Sequence, residues 1–301
     1  MAGAVSWIVH AVHYVLRRAT PGLYSRVIER TPYGLRFPAL RHQIIEEEEI
    51  AGKRIFIIGD IHGCYDELVE LLEETNARDP MVCVIFVGDL MNKGPKSAQV
   101  VKLVREMGAY CVRGNHEEIS LLEWQKFNSD PSTMREKFSW LHELSAEDIN
   151  WVTELPFSIR IPSRKIVVVH AGMVPGVELE DQNPDHLLHM RDLVYDTETQ
   201  IWKGFKKPQL NSVPWGNEWR GPDHIYFGHD ARRKFQSYEY ATGLDTGCVY
   251  GGTLTGIFPG EGTEECSGGR VVSVKAHCTY EQPKQKNTNN NTNAKLSTSS
   301  S

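Results

Sequence analysis

Five short apolar runs in this chain each lead into a glycine-bearing polar motif. The run at 55–58 meets GDIHG at 59–63, and the run at 82–87 meets GDLMNKG at 88–94. The run at 109–112 precedes GNHE at 114–117, that at 166–169 meets HAG at 170–172, and that at 225–227 meets GH at 228–229. Apolar stretches this short, bounded by glycine, predict buried strands. Residues 65–75, with Leu68, Leu71 and Leu72 at helical spacing, predict a helix after the first motif. A second helix is predicted over 97–107, and a third contains Leu121 and Leu122. Strand and helix therefore alternate, which implies a parallel sheet with crossover helices. The C-terminal ends of such strands share one edge, so loops far apart in sequence converge there. From residue 243 onward Gly, Thr and β-branched residues dominate and predict antiparallel strands. The whole reads as a mixed α/β sandwich.

Six side chains delivered by these motifs carry the chemistry: Asp60, His62, Asp89, Asn115, His170 and His229. Taken singly, each has a plain explanation. An aspartate after a strand commonly caps a turn, and a buried histidine is commonly a satisfied core residue. Five motifs in succession, each after an apolar strand, are a different matter. Three imidazoles, two carboxylates and an amide oxygen suit two divalent metal ions, and one carboxylate using both oxygens can bridge them. A metal-free binding module is the rival reading, and it would be favoured by loss of a ligand. The ligand types leave the metal open among Mn, Zn, Fe, Co and Mg.

The remainder of the chain sets boundaries. With 301 residues and 40% apolar content, one domain with tails is expected. The formal charge of −6 argues against long nucleic acid or an anionic membrane surface as partner. A polyanionic substrate would need a local cationic site. The six cysteines include no C-x-x-C pair, which argues against a structural zinc site and fits a reducing compartment. Cys83 and Cys111 lie inside apolar runs and read as core. Cys64, beside a proposed metal ligand, is the thiol to check for redox sensitivity, although a partly buried loop thiol is its plainer reading.

Residues 1–50 read as an N-terminal extension, 51–280 as the folded domain and 281–301 as a polar, disordered tail. Val5, Ile8, Val9, Val12 and Leu16 recur at helical spacing and predict an amphipathic helix. The run over 2–16 is shorter than the ~20 residues of a membrane span and lacks the features of a secretory signal. A cytoplasmic location is expected, with a mitochondrial presequence as the alternative for this segment. The acidic run at 46–49 reads as a solvated connector.

The order Asp-x-His, Gly-Asp-x-x-x-x-Gly, Gly-Asn-His-Glu, His-Ala-Gly, Gly-His resembles the phosphoprotein phosphatase branch of the calcineurin-like metallophosphoesterases, over residues 53–258. The resemblance implies a β-sandwich flanked by helices and built from βαβ units. It implies that Asp60, His62 and Asp89 hold one metal ion, and that Asp89, Asn115, His170 and His229 hold the other. It further implies that His116 protonates the leaving group and that Arg113 binds phosphate oxygens. Two cations about 3.5–4 Å apart activate water and clamp both sides of an in-line displacement at phosphorus.

Within the second motif the chain departs from the protein phosphatases. Asn92 and Lys93 stand where those enzymes have Asp and Arg. Asn92 can hydrogen-bond the catalytic His116 but adds no charge, and Lys93 offers a point charge in place of a bidentate grip. The Pro after Gly94, HAGMVPG at 170–176 and GLDTGCVYGGTLT at 243–255 resemble bacterial diadenosine tetraphosphatase, and the Asn-Lys pair resembles ApaH-like phosphatases of eukaryotes. The implied substrates are dinucleoside polyphosphates, inorganic polyphosphate and capped RNA ends, all phosphoanhydrides. Phosphoserine or phosphothreonine in proteins is the alternative. Lys203, Lys206 and Lys207, Arg232, Arg233 and Lys234, and Trp215, Trp219 and Arg220 are candidate substrate contacts. A solvated loop for the basic clusters, and core packing for the tryptophans, are the competing readings.

Overall fold

The computed structural model describes residues 30–261 and 269–283. The predicted helix over 2–16 and most of the polar tail lie outside the described residues. Fourteen strands are numbered along the chain. The first seven are β1 (His42–Ile44), β2 (Arg54–Ile58), β3 (Val82–Phe86), β4 (Tyr110–Cys111), β5 (Ser158–Ile161), β6 (Ile166–Val169) and β7 (Asp192–Asp196). The rest are β8 (Ile201–Phe205), β9 (Val213–Pro214), β10 (His224–Phe227), β11 (Gln236–Ser237), β12 (Ala241–Gly243), β13 (Thr253–Phe258) and β14 (Arg270–Lys275). The α-helices are α1 (Glu47–Ile50), α2 (Tyr65–Glu74), α3 (Ser97–Glu106), α4 (Asn115–Ser129), α5 (Ala146–Thr153) and α6 (Pro184–His189).

Two sheets stack into a sandwich. One has the order β14-β13-β2-β3-β4 and the other β1-β5-β6-β10-β12-β11. β2, β3 and β4 are mutually parallel, as are β6, β10 and β12. The predicted antiparallel pairing after residue 243 is β13 with β14, and β13 also runs antiparallel to β2. β12 instead joins the second sheet in parallel with β10.

The continuous apolar runs follow from burial on both faces. Ile55 and Ile57 of β2, with Cys83 and Ile85 of β3, pack against Ile159, Ile161, Val168 and Tyr226 of the facing sheet. The alternate residues Phe56, Ile58, Val84 and Phe86 face outward onto α2 and α3, meeting Leu68, Leu71, Leu72, Val100, Val101 and Val104. On the other flank Val167, Val169, Ile225 and Phe227 cover Leu187, Leu188, Leu193 and Trp215. A one-residue slip in any central strand would exchange these two cores.

The predicted boundary at residue 50 is corrected. β1 pairs with β5, and Leu35, Ile45 and Ile50 are buried, so residues 30–50 belong to the sandwich. The acidic run is more than a connector: Glu47 to Ile50 form a helical turn, with Glu49 accepting from the Glu46 N–H at 3.0 Å and Glu47 paired with Arg164 at 2.7 Å. No helix among the described residues is long and apolar enough to cross a membrane.

Arg113 also departs from expectation. Its guanidinium and the Glu118 carboxylate are both fully buried and lie 2.8 Å apart. Arg113 also donates to the Thr153 carbonyl, and Thr31 donates to Glu118 at 2.5 Å. The side chain is thus spent on tying the entry of the chain to α4 and α5. Removing one member of a buried pair strands the other charge, which costs about 3–5 kcal/mol. Arg113→Ala is expected to lose stability of that order in urea denaturation, and Arg113→Met with Glu118→Leu to recover most of it. Unchanged stability with a raised KM would instead mark Arg113 as a substrate ligand.

Candidate metal centre

The parallel strands deliver the motif loops to one edge of the sandwich, and backbone bonds sew the loops together. The N–H groups of Ile61 and His62 donate to the Asp89 carbonyl at 3.2 and 2.9 Å, and the Gly228 N–H donates to the His170 carbonyl at 2.9 Å. Glu117, in the first turn of α4, accepts from the N–H groups of Asp89 (2.8 Å), Leu90 (2.9 Å) and Gly114 (2.8 Å). One carboxylate therefore caps a helix and fixes the neighbouring loop. His62, Asp89, Asn92, Lys93 and His229 are all non-glycine residues at positive φ, between 50° and 76°. Such backbone costs of order 1–3 kcal/mol per residue and persists where surrounding contacts over-determine it. At two places only glycine fits: a Cβ on Gly228 would meet Asp60 Oδ1, and one on Gly114 would meet Asp89 Oδ1.

The six predicted ligands come together. His62 Nε2 lies 3.5 Å from Asp89 Oδ2, and His170 Nε2 lies 3.4 Å from Asp89 Oδ1 and 3.0 Å from Asn115 Oδ1. Asp89 thus stands between two histidine clusters, one with His62 and His116, the other with His170 and His229. Asp60 approaches from β2, both of its oxygens accepting from the His229 N–H at 3.1 Å.

The imidazoles are oriented from behind. His62 Nδ1 faces the Met91 carbonyl at 3.2 Å, and His170 Nδ1 faces the Val87 carbonyl at 2.9 Å. Donation there turns each Nε2 lone pair toward the site, the nitrogen that would ligate a metal. His229 is turned the other way, with Nε2 at the His189 carbonyl (3.1 Å), which leaves Nδ1.

The electrostatics call for a cation. Burial, together with Asp245 and Asp89, holds the Asp60 carboxyl well above its usual range. Burial pushes Asp89 and Asp245 each up to about 6 and, with Asp89 beside it, Glu117 up to about 7. Burial lowers His62, His116 and His229 strongly and His170 to about 4, so the rings stay neutral lone-pair donors. Buried, mutually repelling acids ringed by neutral imidazoles fit a divalent metal pair. A cation already stands in the cradle: the Lys93 ammonium lies 2.7 Å from His62 Nε2.

The site opens into a cavity of about 1030 Å³. His62, Asp89, Asn92, Lys93, Asn115, His116 and His229 line it. Arg191, Arg232, Lys234 and Lys137 add positive charge to its walls, beside Trp140 and Tyr250. His116 stands edge-on to His62 with ring centroids 4.7 Å apart, and its Nδ1 is buried without a hydrogen-bond partner among the described residues. The expected bond from Asn92 to His116 is not among the contacts of the described residues; Asn92 Oδ1 instead accepts from the Lys93 N–H at 3.1 Å.

Other predicted contacts lie elsewhere. Arg113 is buried behind the loops, as described. Arg220 is exposed and bonds the Asn217 carbonyl and Glu218. Lys203 and Lys206 pair with Asp196 and Asp185 at 2.6 and 2.8 Å, and Arg233 with Asp230 and Asp192 at 2.5 and 2.6 Å. Trp215 is core, its ring tilted against Phe227 with centroids 4.7 Å apart, and the Trp219 ring N–H donates to the Asp223 carbonyl. Sequence reasoning missed Arg191, Asp245 and Lys137. Asp245 sits inside GLDTGCVYGGTLT, where the motif could have flagged it. Arg191 and Lys137 belong to no motif and reach the cavity only through the fold.

Comparison with known proteins agrees with this geometry. Residues 53–258 match the calcineurin-like phosphoesterase family. The chain is 28% identical over 211 residues to serine/threonine-protein phosphatase 1 of Salmonella typhimurium, covering 67% of this chain and 90% of that protein. It is 31% identical over 228 residues to the asymmetrical bis(5'-nucleosyl)-tetraphosphatase PrpE of Halalkalibacterium halodurans, covering 67% and 89%. It is 26% identical over 253 residues to the zinc-dependent endopolyphosphatase of Saccharomyces cerevisiae, covering 71% and 78%. A crystal structure of a "putative diadenosine tetraphosphatase" superposes with a TM-score of 0.67 at 33% identity, over 79% of this chain and 98% of that one. A sandwich that gathers the motif side chains at one edge, and a family match over residues 53–258, lead to one conclusion: this chain belongs to the calcineurin-like phosphoesterases, hydrolases that use a centre of two divalent metal ions.

Proposed function

We propose that this enzyme cleaves phosphoanhydride bonds, in dinucleoside polyphosphates or inorganic polyphosphate, with Asp60, His62 and Asp89 holding one ion and Asp89, Asn115, His170 and His229 the other. The carrying observation is the cavity wall. Lys93, Lys137, Arg191, Arg232 and Lys234 face one space of about 1030 Å³ next to the acidic cradle. That is more cationic surface than a single phosphoryl group needs, and it suits a chain of several phosphates. The relatives named for tetraphosphatase and endopolyphosphatase activity support the same class. They lend no support to capped RNA. The phosphatase of Salmonella supports the alternative, a protein serine/threonine phosphatase.

When bound, the two ions supply Lewis acidity and an activated water for attack at phosphorus. The chain's own residues bind and orient the substrate. Lys93 and Arg191, flanking the cradle, receive the phosphoryl oxygens, with Arg191 held by donation to the His229 carbonyl at 3.0 Å. His116 Nδ1 is buried, so Nε2 is the nitrogen that can pass a proton to the departing oxygen. Burial and the Lys93 charge hold this imidazole well below its usual pKa. A weakly protonated acid serves a good leaving group, such as a phosphate, better than it serves the alkoxide of serine or threonine. A cytoplasmic location remains part of this reading.

Three results would test it. At one metal concentration, kcat/KM for diadenosine tetraphosphate or long-chain polyphosphate is expected to exceed that for a phosphoserine peptide by more than about tenfold, or ~1.4 kcal/mol of transition-state binding. The reverse ranking overturns the substrate class and leaves the metal chemistry standing. His116→Asn is expected to keep its metal and to lose most turnover on aryl phosphates with basic leaving groups, but little on acidic ones. Equal losses across the series would remove His116 from the proton-transfer role.

The third result concerns pH. Asp89, raised to about 6, carries a proton in the metal-free site below that pH. Metal must displace this proton, so affinity is expected to fall as pH drops below about 6. Calorimetry in buffers of different ionisation enthalpy should find more proton release at pH 5.5 than at pH 8. Release that does not change with pH would show that Asp89 is already ionised in the metal-free site.

A further inference from the structure

The fold brings together two thiols and a carboxylate that the proposed reaction does not use. Cys64 immediately precedes α2, Glu67 lies in its first turn, and Cys248 lies in the loop between β12 and β13. None of the three lines the cavity. One ligand atom from each lies within 4.8 Å of the other two. All are buried, with exposures of 1, 0 and 1%.

Glu67 Oε1 accepts from the His277 N–H at 2.9 Å and from the Tyr280 hydroxyl at 2.8 Å. Its other oxygen, Oε2, is buried with no hydrogen-bond partner among the described residues. A carboxylate withdrawn from water with one oxygen unanswered is strongly unfavourable unless a cation meets it. The Cys64 and Cys248 sulfurs lie within 4.8 Å of each other and of a Glu67 oxygen, so both turn into the same space.

We propose that Cys64, Glu67 and Cys248 form a second cation site, thiolate-ligated and of the zinc class. Zinc–sulfur bonds of about 2.3 Å and zinc–oxygen bonds of about 2.0–2.2 Å put tetrahedral donor atoms about 3.5–4 Å apart, within the spread seen here. Binding replaces the thiol protons of Cys64 and Cys248, one from each sulfur, and both leave to solvent. Two thiolates, one carboxylate and a divalent ion then sum to a net charge of −1. The fourth position falls to a water or to the second carboxylate oxygen. The bonds from His277 and Tyr280 hold the carboxylate in place, the usual arrangement behind a metal ligand. The N-terminus of α2 favours the negative charge of both Cys64 and Glu67.

The site would also brace the reaction centre. Cys64 follows His62 and Gly63, and Cys248 follows Asp245, Thr246 and Gly247. A cation joining them ties two loops that border the cavity. The absence of any C-x-x-C pair hid this site, because its sulfurs come from opposite ends of the domain.

Cobalt(II) titration of the metal-stripped, reduced full-length chain is the test. The proposed reaction centre offers only nitrogen and oxygen donors, so thiolate-to-cobalt charge-transfer absorption can arise only at cysteine. The expected result is such a band, saturating at one ion per chain, retained in Asp89→Asn and Cys278→Ser, abolished in Cys248→Ser, and reached at about tenfold higher cobalt in Glu67→Gln. The unaltered chain decides the matter even if a variant fails to fold. Cobalt saturation without a thiolate band overturns the proposal. A band that survives both Cys64→Ser and Cys248→Ser overturns it as well. So does thiol counting in denaturant that finds Cys64 and Cys248 joined as a disulfide before reduction.

Discussion

Four carboxyl groups, Asp60, Asp89, Glu117 and Asp245, are buried together at one edge of the sandwich, each no more than 5% exposed. Left alone, they would repel one another in a medium that screens charge poorly. The protein answers part of that repulsion with backbone N–H groups: Glu117 accepts three, Asp60 accepts from His229, and Asp89 accepts from the His116 N–H at 2.9 Å. Lys93 answers another part. What remains is the demand that two divalent ions satisfy, and the loops are held in strained conformations around it.

The sandwich makes this possible by burying β2, β3, β6 and β10 on both faces. Strands with no solvent face have one register, because a slip would push each core residue into the opposite core. A fixed register places the residue after each strand to within a fraction of a residue spacing. The same rigidity explains how Asp89 can stand within 3.5 Å of His62 and 3.4 Å of His170, although the three come from different strands and two sheets.

Charge is divided by partner. The basic residues that the sequence offers as substrate contacts, together with Arg191 and Lys137, which it did not flag, divide into two groups. Arg113, Arg220, Arg233, Lys203 and Lys206 are committed to carboxylates or carbonyls within the protein. Lys93, Lys137, Arg191, Arg232 and Lys234 line the cavity. Adjacent residues separate cleanly, Arg232 and Lys234 to the cavity and Arg233 between them to Asp230 and Asp192. A run of basic residues therefore reveals that cations are available, but not which of them reaches a ligand.

The alternation of strand and helix from β2 to α4, the strands β6 and β10 and the five motif loops were legible in the sequence, because each depends on local periodicity and on which residue follows an apolar run. Residues 166–169 were placed to the residue as β6. Inclusion of residues 30–50 in the sandwich was not legible, since β1 is held by pairing with β5, more than a hundred residues away. Nor were the roles of Arg113 and Asn92, whose side-chain directions are set by Glu118 and by the turn at Lys93. Arg191, Lys137 and the Cys64–Glu67–Cys248 cluster were likewise decided only in three dimensions. Local sequence dictates what a segment becomes, whereas a contact between segments depends on where the packed sheets carry them.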